Sequence, residues 1–361
     1  MVTALYLIGG LVLLVAGAEG LVRGASGLAA RFGIPPLVIG LTVVAFGTSA
    51  PEMAVSVTGA LHGQPDLAYG NVMGSNIFNI LFILGLAAVI TPLSVARQLL
   101  RIDVPLMIAA SGLVFVLAQD GRIGRVDGMI LFAGLLAYIW LQVRLARTSG
   151  EPGEEVPEAP RSAWAQIALV VVGLGVLVAG SNLLVTGAVQ IARVLGVSEL
   201  VIGLTIVAAG TSLPEVATSV IAAIRGQRDI AVGNVIGSNI FNISGVLGLS
   251  ATVVRGGVTV SPPAIAVDTP VMLAVAVATL PVFLTGSRVS RGHGILFLAA
   301  YTAYTGWLVL DAARHPALPG YQSALIYAVL PVMAGAAVWP WIRWRIASRQ
   351  DGAPEVPAER G

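Results

Sequence analysis

Residues 38–80 and 201–243 of this chain are nearly the same sequence. The first reads VIGLTVVAFGTSAPEMAVSVTGALHGQPDLAYGNVMGSNIFNI and the second VIGLTIVAAGTSLPEVATSVIAAIRGQRDIAVGNVIGSNIFNI, with 30 identities in 43 positions at an offset of 163 and no gap. The match runs outward from there. LVAG at 14–17 is answered by LVAG at 177–180, Asp103-Val-Pro105 by Asp268-Thr-Pro270, and Arg122 and Arg125 by Arg288 and Arg291. The shared residues are mostly polar, Gly and Pro, so hydrophobic composition alone does not produce them. A repeat of this length places one set of side chains twice in the same fold.

The solvent for that fold is lipid. The chain is 57% hydrophobic and 11% charged, where soluble domains are about a quarter charged. Too little polar surface exists to cover a water-soluble body, which excludes a soluble enzyme, a nucleic-acid binder and a disordered scaffold. A helix needs about 20 apolar residues to cross the hydrocarbon core, and eleven stretches meet that demand: 3–29, 37–61, 70–91, 102–119, 127–146, 164–192, 200–224, 233–253, 265–285, 293–311 and 322–343. No basic residue precedes Arg23, so the first stretch reads as a retained span rather than a signal peptide. Cys is absent, which removes disulfides, thiolate metal sites and a cysteine nucleophile.

The organisation predicted is an all-α polytopic membrane protein: two inverted five-helix repeats plus one C-terminal transmembrane helix. The first repeat occupies 1–146, a cytoplasmic linker 147–163, the second repeat 164–315, and the extra helix with its tail 316–361. Five spans is an odd number, so the second copy crosses the membrane in the opposite sense, an arrangement common among secondary transporters. All 20 basic residues are Arg. With the N-terminus outside and the C-terminus cytoplasmic, the inside loops and tail take 14 of them and the outside loops 5, with Arg23 inside a span; this obeys the positive-inside rule. The acidic run from Glu151 to Glu158 reads as a hydrated connector.

Glu52 and Glu215 fall mid-span at equivalent positions. A carboxylate there costs about 2.5–3.5 kcal/mol on insertion scales, so a pair reads as an ion pathway or site. Ala45, Thr48 and Glu52 share one helical face, as do Ala208, Thr211 and Glu215. Pro51 and Pro214 interrupt the helix beside each Glu and free carbonyls in the preceding turn, Gly47 and Gly210 among them. On the next span Asn71, Ser75 and Asn79 recur at i+4, matched by Asn234, Ser238 and Asn242. Gly70 with Gly74, and Gly233 with Gly237, form GxxxG surfaces for close backbone approach. The inventory is carboxylates, hydroxyls, amide oxygens and carbonyls, with no thiol or imidazole. Such ligands suit hard cations, Ca²⁺ or Na⁺ rather than Zn²⁺ or Cu⁺. Two carboxylates neutralise one Ca²⁺, two Na⁺ or two protons, and a site that holds one set at a time is the basis of antiport.

At GTSAPE (47–52) with GNVMGSNIFN (70–79), and GTSLPE (210–215) with GNVIGSNIFN (233–242), the sequence resembles the cation/Ca²⁺ exchanger superfamily, in particular its prokaryotic Na⁺/Ca²⁺ exchanger-like branch. The doubled motifs look like that family's two α-repeats, and the resemblance covers ten of the eleven spans. It implies a ten-helix inverted-repeat antiporter in the plasma (inner) membrane of a prokaryote, exchanging Ca²⁺ for Na⁺ by alternating access. By the resemblance, Glu52 and Glu215 bridge Ca²⁺ with help from Thr48 and Thr211. Ser75, Ser238 and the carbonyls of Ala45 and Ala208 complete flanking Na⁺ sites, and Asn79 lines the centre. The chain departs from the pattern at Asn242, where such exchangers carry an Asp, which bears on the central position and on the Na⁺:Ca²⁺ stoichiometry. The extra helix lies outside the pattern.

The partners expected are the transported ions and the lipid bilayer, with no cofactor, nucleic acid or obligate protein partner. The alternatives are a Ca²⁺/H⁺ or other cation/H⁺ antiporter, since a buried carboxyl pair can also carry protons, and then a passive cation channel. Glu19 and Arg23 read as an intrahelical i,i+4 pair, answered by Asn182 and Thr186 in the second copy. Asp103 and Asp268, each two residues before a Pro, read as helix N-caps. Gly24-Ala-Ser-Gly27 matches the GxSG of intramembrane serine proteases, but His62, His293 and His315 all fall at span ends or in loops, so no enzyme is expected.

Overall fold

A computed structural model describes residues 2–148, 162–196 and 208–350. The acidic run of the linker and the opening of the span expected at 200–224 lie outside those residues. The described chain is helical apart from four two-residue strands. Its helices are α1 (Val2–Phe32), α2 (Pro36–Thr48), α3 (Ala50–Leu61), α4 (Pro65–Ile90), α5 (Leu99–Asp120), α6 (Arg125–Thr148), α7 (Ala163–Val194), α8 (Ala208–Thr211), α9 (Leu213–Ile224), α10 (Arg228–Val253), α11 (Ala264–Leu284), α12 (Arg291–Ala312) and α13 (Leu318–Arg343). Among the described residues nine helices are long and apolar enough to cross a membrane. The bent pair α2–α3, with 44° between its parts, makes a tenth. The molecule is a multi-span, all-helical membrane protein.

Burial sorts the helices into an inner and an outer set. The most apolar windows of α4 and α10 are 72% and 100% buried, and these are the helices that carry the repeated GNVxGSNIFN blocks. A helix with buried Asn234, Ser238, Asn239 and Asn242 belongs away from lipid, where each unpaired polar group costs several kcal/mol. On α10, Gly233 and Gly237 lie against the backbone of Leu37 and Leu41 on α2, so a helix of one copy seats into a helix of the other. The GxxxG surface predicted at Gly233 and Gly237 therefore makes its close approach, whereas no described residue lies within 4 Å of where a Cβ on Gly70 or Gly74 would be, and their expected partner, the repeat counterpart at 201–207, lies outside the described residues.

The outer pair α1 and α7 are the first helices of the two copies, and they run antiparallel. Gly10 faces Leu184, Gly17 faces Leu177 and Gly24 faces Val170, so position rises on one helix as it falls on the other. A Cβ on Gly17 would come within 2.7 Å of the Leu177 nitrogen, and one on Gly173 within 2.7 Å of the Leu21 nitrogen. Only glycine permits backbones this close. Two short antiparallel strand pairs also cross between copies: β1 (Leu93–Ser94) pairs with β4 (Arg288–Val289), and β2 (Arg122–Ile123) with β3 (Val258–Thr259).

Three sequence expectations resolve here. The helix breaks where the Pro residues predicted it, at Ser49 and Ser212, with Pro51 and Pro214 in the first turn of α3 and α9. The Glu19–Arg23 pair forms at 2.5 Å, but Arg225, at the end of α9, joins it with Nη2 2.5 Å and Nε 3.0 Å from the two carboxylate oxygens. Asp103 and Asp268 are not N-caps. Each sits inside its helix at the end of a π-helical turn that starts the helix earlier, at Leu99 and Ala264, and neither makes a side-chain capping bond. Buried Asp103 instead accepts hydrogen bonds from Gln142 at 2.6 Å and Tyr138 at 3.1 Å on α6, and Asp268 accepts one from Tyr304 at 3.0 Å on α12. A carboxylate in an apolar interior needs such donors.

Gly17→Leu and Gly173→Leu are each expected to destabilise the folded protein by about 1–3 kcal/mol through overpacking. The check is the midpoint of thermal unfolding in detergent. Gly175→Leu serves as the control, because nothing lies within 4 Å of the position where its Cβ would be.

Candidate functional site

The two breaks bring the site together. At each one the chain turns within a single residue, Ser49 or Ser212, and the following Pro starts a new helix whose first turn carries the Glu. Both Glu52 and Glu215 are 0% exposed. Each carboxylate is held by the opposite copy's break. Ser212 Oγ donates to Glu52 Oε1 at 2.7 Å, and Ser49 Oγ donates to Glu215 Oε1 at 3.2 Å. Thr211 and Thr48 stand within hydrogen-bonding reach of the same carboxyl groups. The Glu pair and its hydroxyl donors thus form one cluster at the boundary between the copies, with the pseudo-symmetry the repeat implies.

A second ring braces the first. Asn71 Nδ2 donates to Ser56 Oγ at 2.9 Å and to the Glu52 carbonyl at 3.4 Å, and Asn234 Nδ2 donates to Ser219 Oγ at 2.9 Å and to the Glu215 carbonyl at 3.5 Å. Thr48 Oγ1 also lies 3.0 Å from Asn234 Oδ1. Further along α4 and α10 the amides cross between copies: Asn79 Nδ2 donates to Asn239 Oδ1 at 2.9 Å and Asn242 Nδ2 to Asn76 Oδ1 at 3.3 Å. Asn79 opens a π-helical turn, Asn79–Leu84, and Asn242 lies in another, Phe241–Leu247. Such turns widen a helix locally and recur at functional sites.

Five buried oxygens in this cluster have no hydrogen-bond partner among the described residues: Glu52 Oε2, Glu215 Oε2, Asn79 Oδ1, Asn242 Oδ1 and Ser238 Oγ. A buried acceptor left without a donor costs about 1–3 kcal/mol, more when charged. Buried oxygens without donors are the hard-ligand type that Ca²⁺ and Na⁺ take. Ser75, with its Oγ 3.4 Å from Ser212 Oγ, belongs to the same cluster.

The carbonyls behave differently. The Ala45 oxygen accepts the Ser49 N–H at 3.0 Å, and the Gly210 carbonyl freed by the break accepts the Ser181 hydroxyl at 2.6 Å. Ala208 opens α8, next to residues outside the described range. Ser49, Ser212, Asn76 and Asn239 are the contributors that spacing arguments passed over. Each is off the face of its own Glu or Asn, because it serves the other copy. Their signal was present as identical residues in both motifs.

A bundle of membrane-crossing helices around a closed, oxygen-lined carboxylate pair defines a membrane ion transporter, not an enzyme. Comparison with known proteins narrows the class. The family model described as sodium/calcium exchanger protein matches residues 2–144 and again 165–310. The chain is 42% identical to inner membrane protein YrbG of Escherichia coli over 85% of this chain and 97% of that one. It is 40% identical to the putative antiporter CaxA of Alkalimonas amylolytica, covering 84% and 98%. Among solved structures, the sodium-calcium exchanger NCX_Mj superposes with a TM-score of 0.73 at 33% identity, covering 83% of this chain and 96% of that one. The chain belongs to the sodium/calcium exchanger family, and its function is ion antiport across a membrane.

Asn234→Leu is expected to destabilise the protein by about 1–3 kcal/mol, because it takes away the donor to the buried Ser219 hydroxyl and the Glu215 carbonyl, while Thr48 keeps its bond to the Val44 carbonyl. Thermal unfolding in detergent without added divalent cations measures this directly.

Proposed function

We propose that the chain is a secondary-active antiporter that exchanges Ca²⁺ for Na⁺ by alternating access. The observation that carries this reading is the set of five buried, unpartnered oxygens around Glu52 and Glu215. All are hard donors, and the two carboxylates match one Ca²⁺ or two Na⁺ in charge. In this reading Glu52 and Glu215 bridge Ca²⁺, with Thr48 and Thr211 beside them. Ser75, Ser238 and the Ala45 and Ala208 carbonyls serve Na⁺, which requires the Ala45 carbonyl to share its helical hydrogen bond. Asn79 and Asn242 line the centre. The name of NCX_Mj supports Na⁺ and Ca²⁺ as the exchanged ions. Both carboxylates are closed off from solvent, which favours a carrier over a passive channel.

The topology proposed with it is eleven spans, five per repeat over 1–146 and 164–315, a cytoplasmic linker at 147–163, and an extra helix within 316–361. The N-terminus is outside and the C-terminus cytoplasmic, in the plasma membrane of a prokaryote. The antiparallel packing of α1 on α7 supports the inversion. A second reading, cation/H⁺ antiport, is favoured by Asn242, because an amide there leaves the two Glu as the site's only charges.

The deciding experiment is ⁴⁵Ca²⁺ uptake into proteoliposomes, with an outward Na⁺ gradient compared against a pH gradient at matched ionic strength. Uptake is expected with Na⁺ alone, and uptake driven only by protons would select the second reading. Glu52→Gln and Glu215→Gln are each expected to lower Ca²⁺ uptake at least a hundredfold while the protein stays folded. Near-normal exchange in either variant would remove the proposed site.

A further inference from the structure

The four buried asparagines where α4 meets α10 are not equivalent, and the difference bears on which of them a cation can use. An amide side chain presents a donor on one side and an acceptor on the other, so its neighbours fix which way it faces. Asn239 Nδ2 lies 3.4 Å from the backbone carbonyl of Asn76 and 3.6 Å from Met107 Sδ. Both of those atoms only accept. The NH₂ of Asn239 must therefore face them, and its Oδ1 must face Asn79. At 2.9 Å that oxygen calls for a donor, so Asn79 turns its NH₂ toward Asn239. Asn79 Oδ1 then has no choice of orientation, and it is one of the unpartnered buried oxygens. The fixed point is the Asn76 main-chain carbonyl, which cannot flip.

The repeat-related chain lacks that anchor. Asn242 Nδ2 donates to Asn76 Oδ1 at 3.3 Å, but Asn76 Nδ2 has no partner among the described residues. Turning the Asn76 and Asn242 amides together exchanges one hydrogen bond for an equivalent one and breaks no other bond of either amide among the described residues. Asn242 is thus free to present either its oxygen or its NH₂, whereas Asn79 presents only oxygen.

We infer that Asn239 is a positioning residue, which holds the Asn79 carbonyl oxygen as a fixed cation ligand, while Asn242 is left adjustable. This rests on the cation-site reading of the preceding subsection. It assigns to two sequence-equivalent amides unequal parts in cation binding, set by side chains that need not touch the ion.

The test is Ca²⁺ titration by calorimetry on the purified full-length protein, with Asn239→Ala, Asn79→Ala, the double variant and Asn76→Ala. Asn239→Ala is expected to weaken Ca²⁺ binding at least tenfold, and Asn79→Ala by a similar factor. The double variant is expected to be no weaker than the weaker single variant by more than threefold, because one residue acts through the other. Asn76→Ala keeps the main-chain anchor and is expected to change the affinity less than threefold. A merely structural Asn239 would give losses that multiply in the double variant, and that result overturns the inference, as does wild-type affinity in Asn239→Ala. Should Asn239→Ala fail to fold, Asn239→Ser, too short to reach either neighbour, takes its place with the same expected outcomes. Wild-type protein that binds neither Ca²⁺ nor Na⁺ would instead remove the cation-site reading itself.

Discussion

The hydrogen bonds that cross from one copy's helix break to the other copy's carboxylate are the interaction on which this architecture turns. A Glu buried in a membrane protein needs donors, and each copy spends its own backbone break on creating a Ser that faces away from its own Glu. Neither half can therefore satisfy its carboxylate alone. The requirement forces α3 and α9 together and places α4 and α10 at the centre to carry the bracing amides, leaving helices such as α12 and α13 on the outside. Close glycine approaches, α10 on α2 and α1 on α7, let the backbones come near enough for short side chains such as Ser and Asn to span the boundary.

Much of this was legible in the sequence because the repeat is long and its shared residues are polar. The helix breaks followed from Pro51 and Pro214, and the burial of Glu52 and Glu215 from their mid-span position. What could not be read was which copy each side chain serves. Periodicity reports the face of one helix, and Ser49 and Ser212 lie off the face that their neighbouring Thr and Glu define. The π-helical turns were hidden for a related reason, since they shift phase by one residue and no residue type announces them. At Asp103 and Asp268 the spacing to Pro suggested a helix start, but the wider turn begins the helix earlier. There the capping preference yields to the need of a buried carboxylate for Tyr and Gln donors.

The carbonyls show that a broken helix does not automatically expose its oxygens to a ligand. The Gly210 oxygen is taken by Ser181, and the Ala45 oxygen by the Ser49 N–H. Among the buried side-chain atoms around the two Glu, those without partners are mainly oxygens. Side-chain oxygens of that kind can adjust by rotating a few bonds.

The group formed by Glu19, Arg23 and Arg225 has another meaning when set against its counterparts. The repeat puts Asn182, Thr186 and His62 at the matching positions, so the charged trio, built from both copies, has no symmetry-related twin. A body assembled from two oppositely directed near-copies has no intrinsic up or down. Its polarity along the membrane normal must come from the places where the copies disagree, and this trio is a charged instance that joins α1 to α9. Direction, in such a molecule, is written in the substitutions between the two copies rather than in the residues they share.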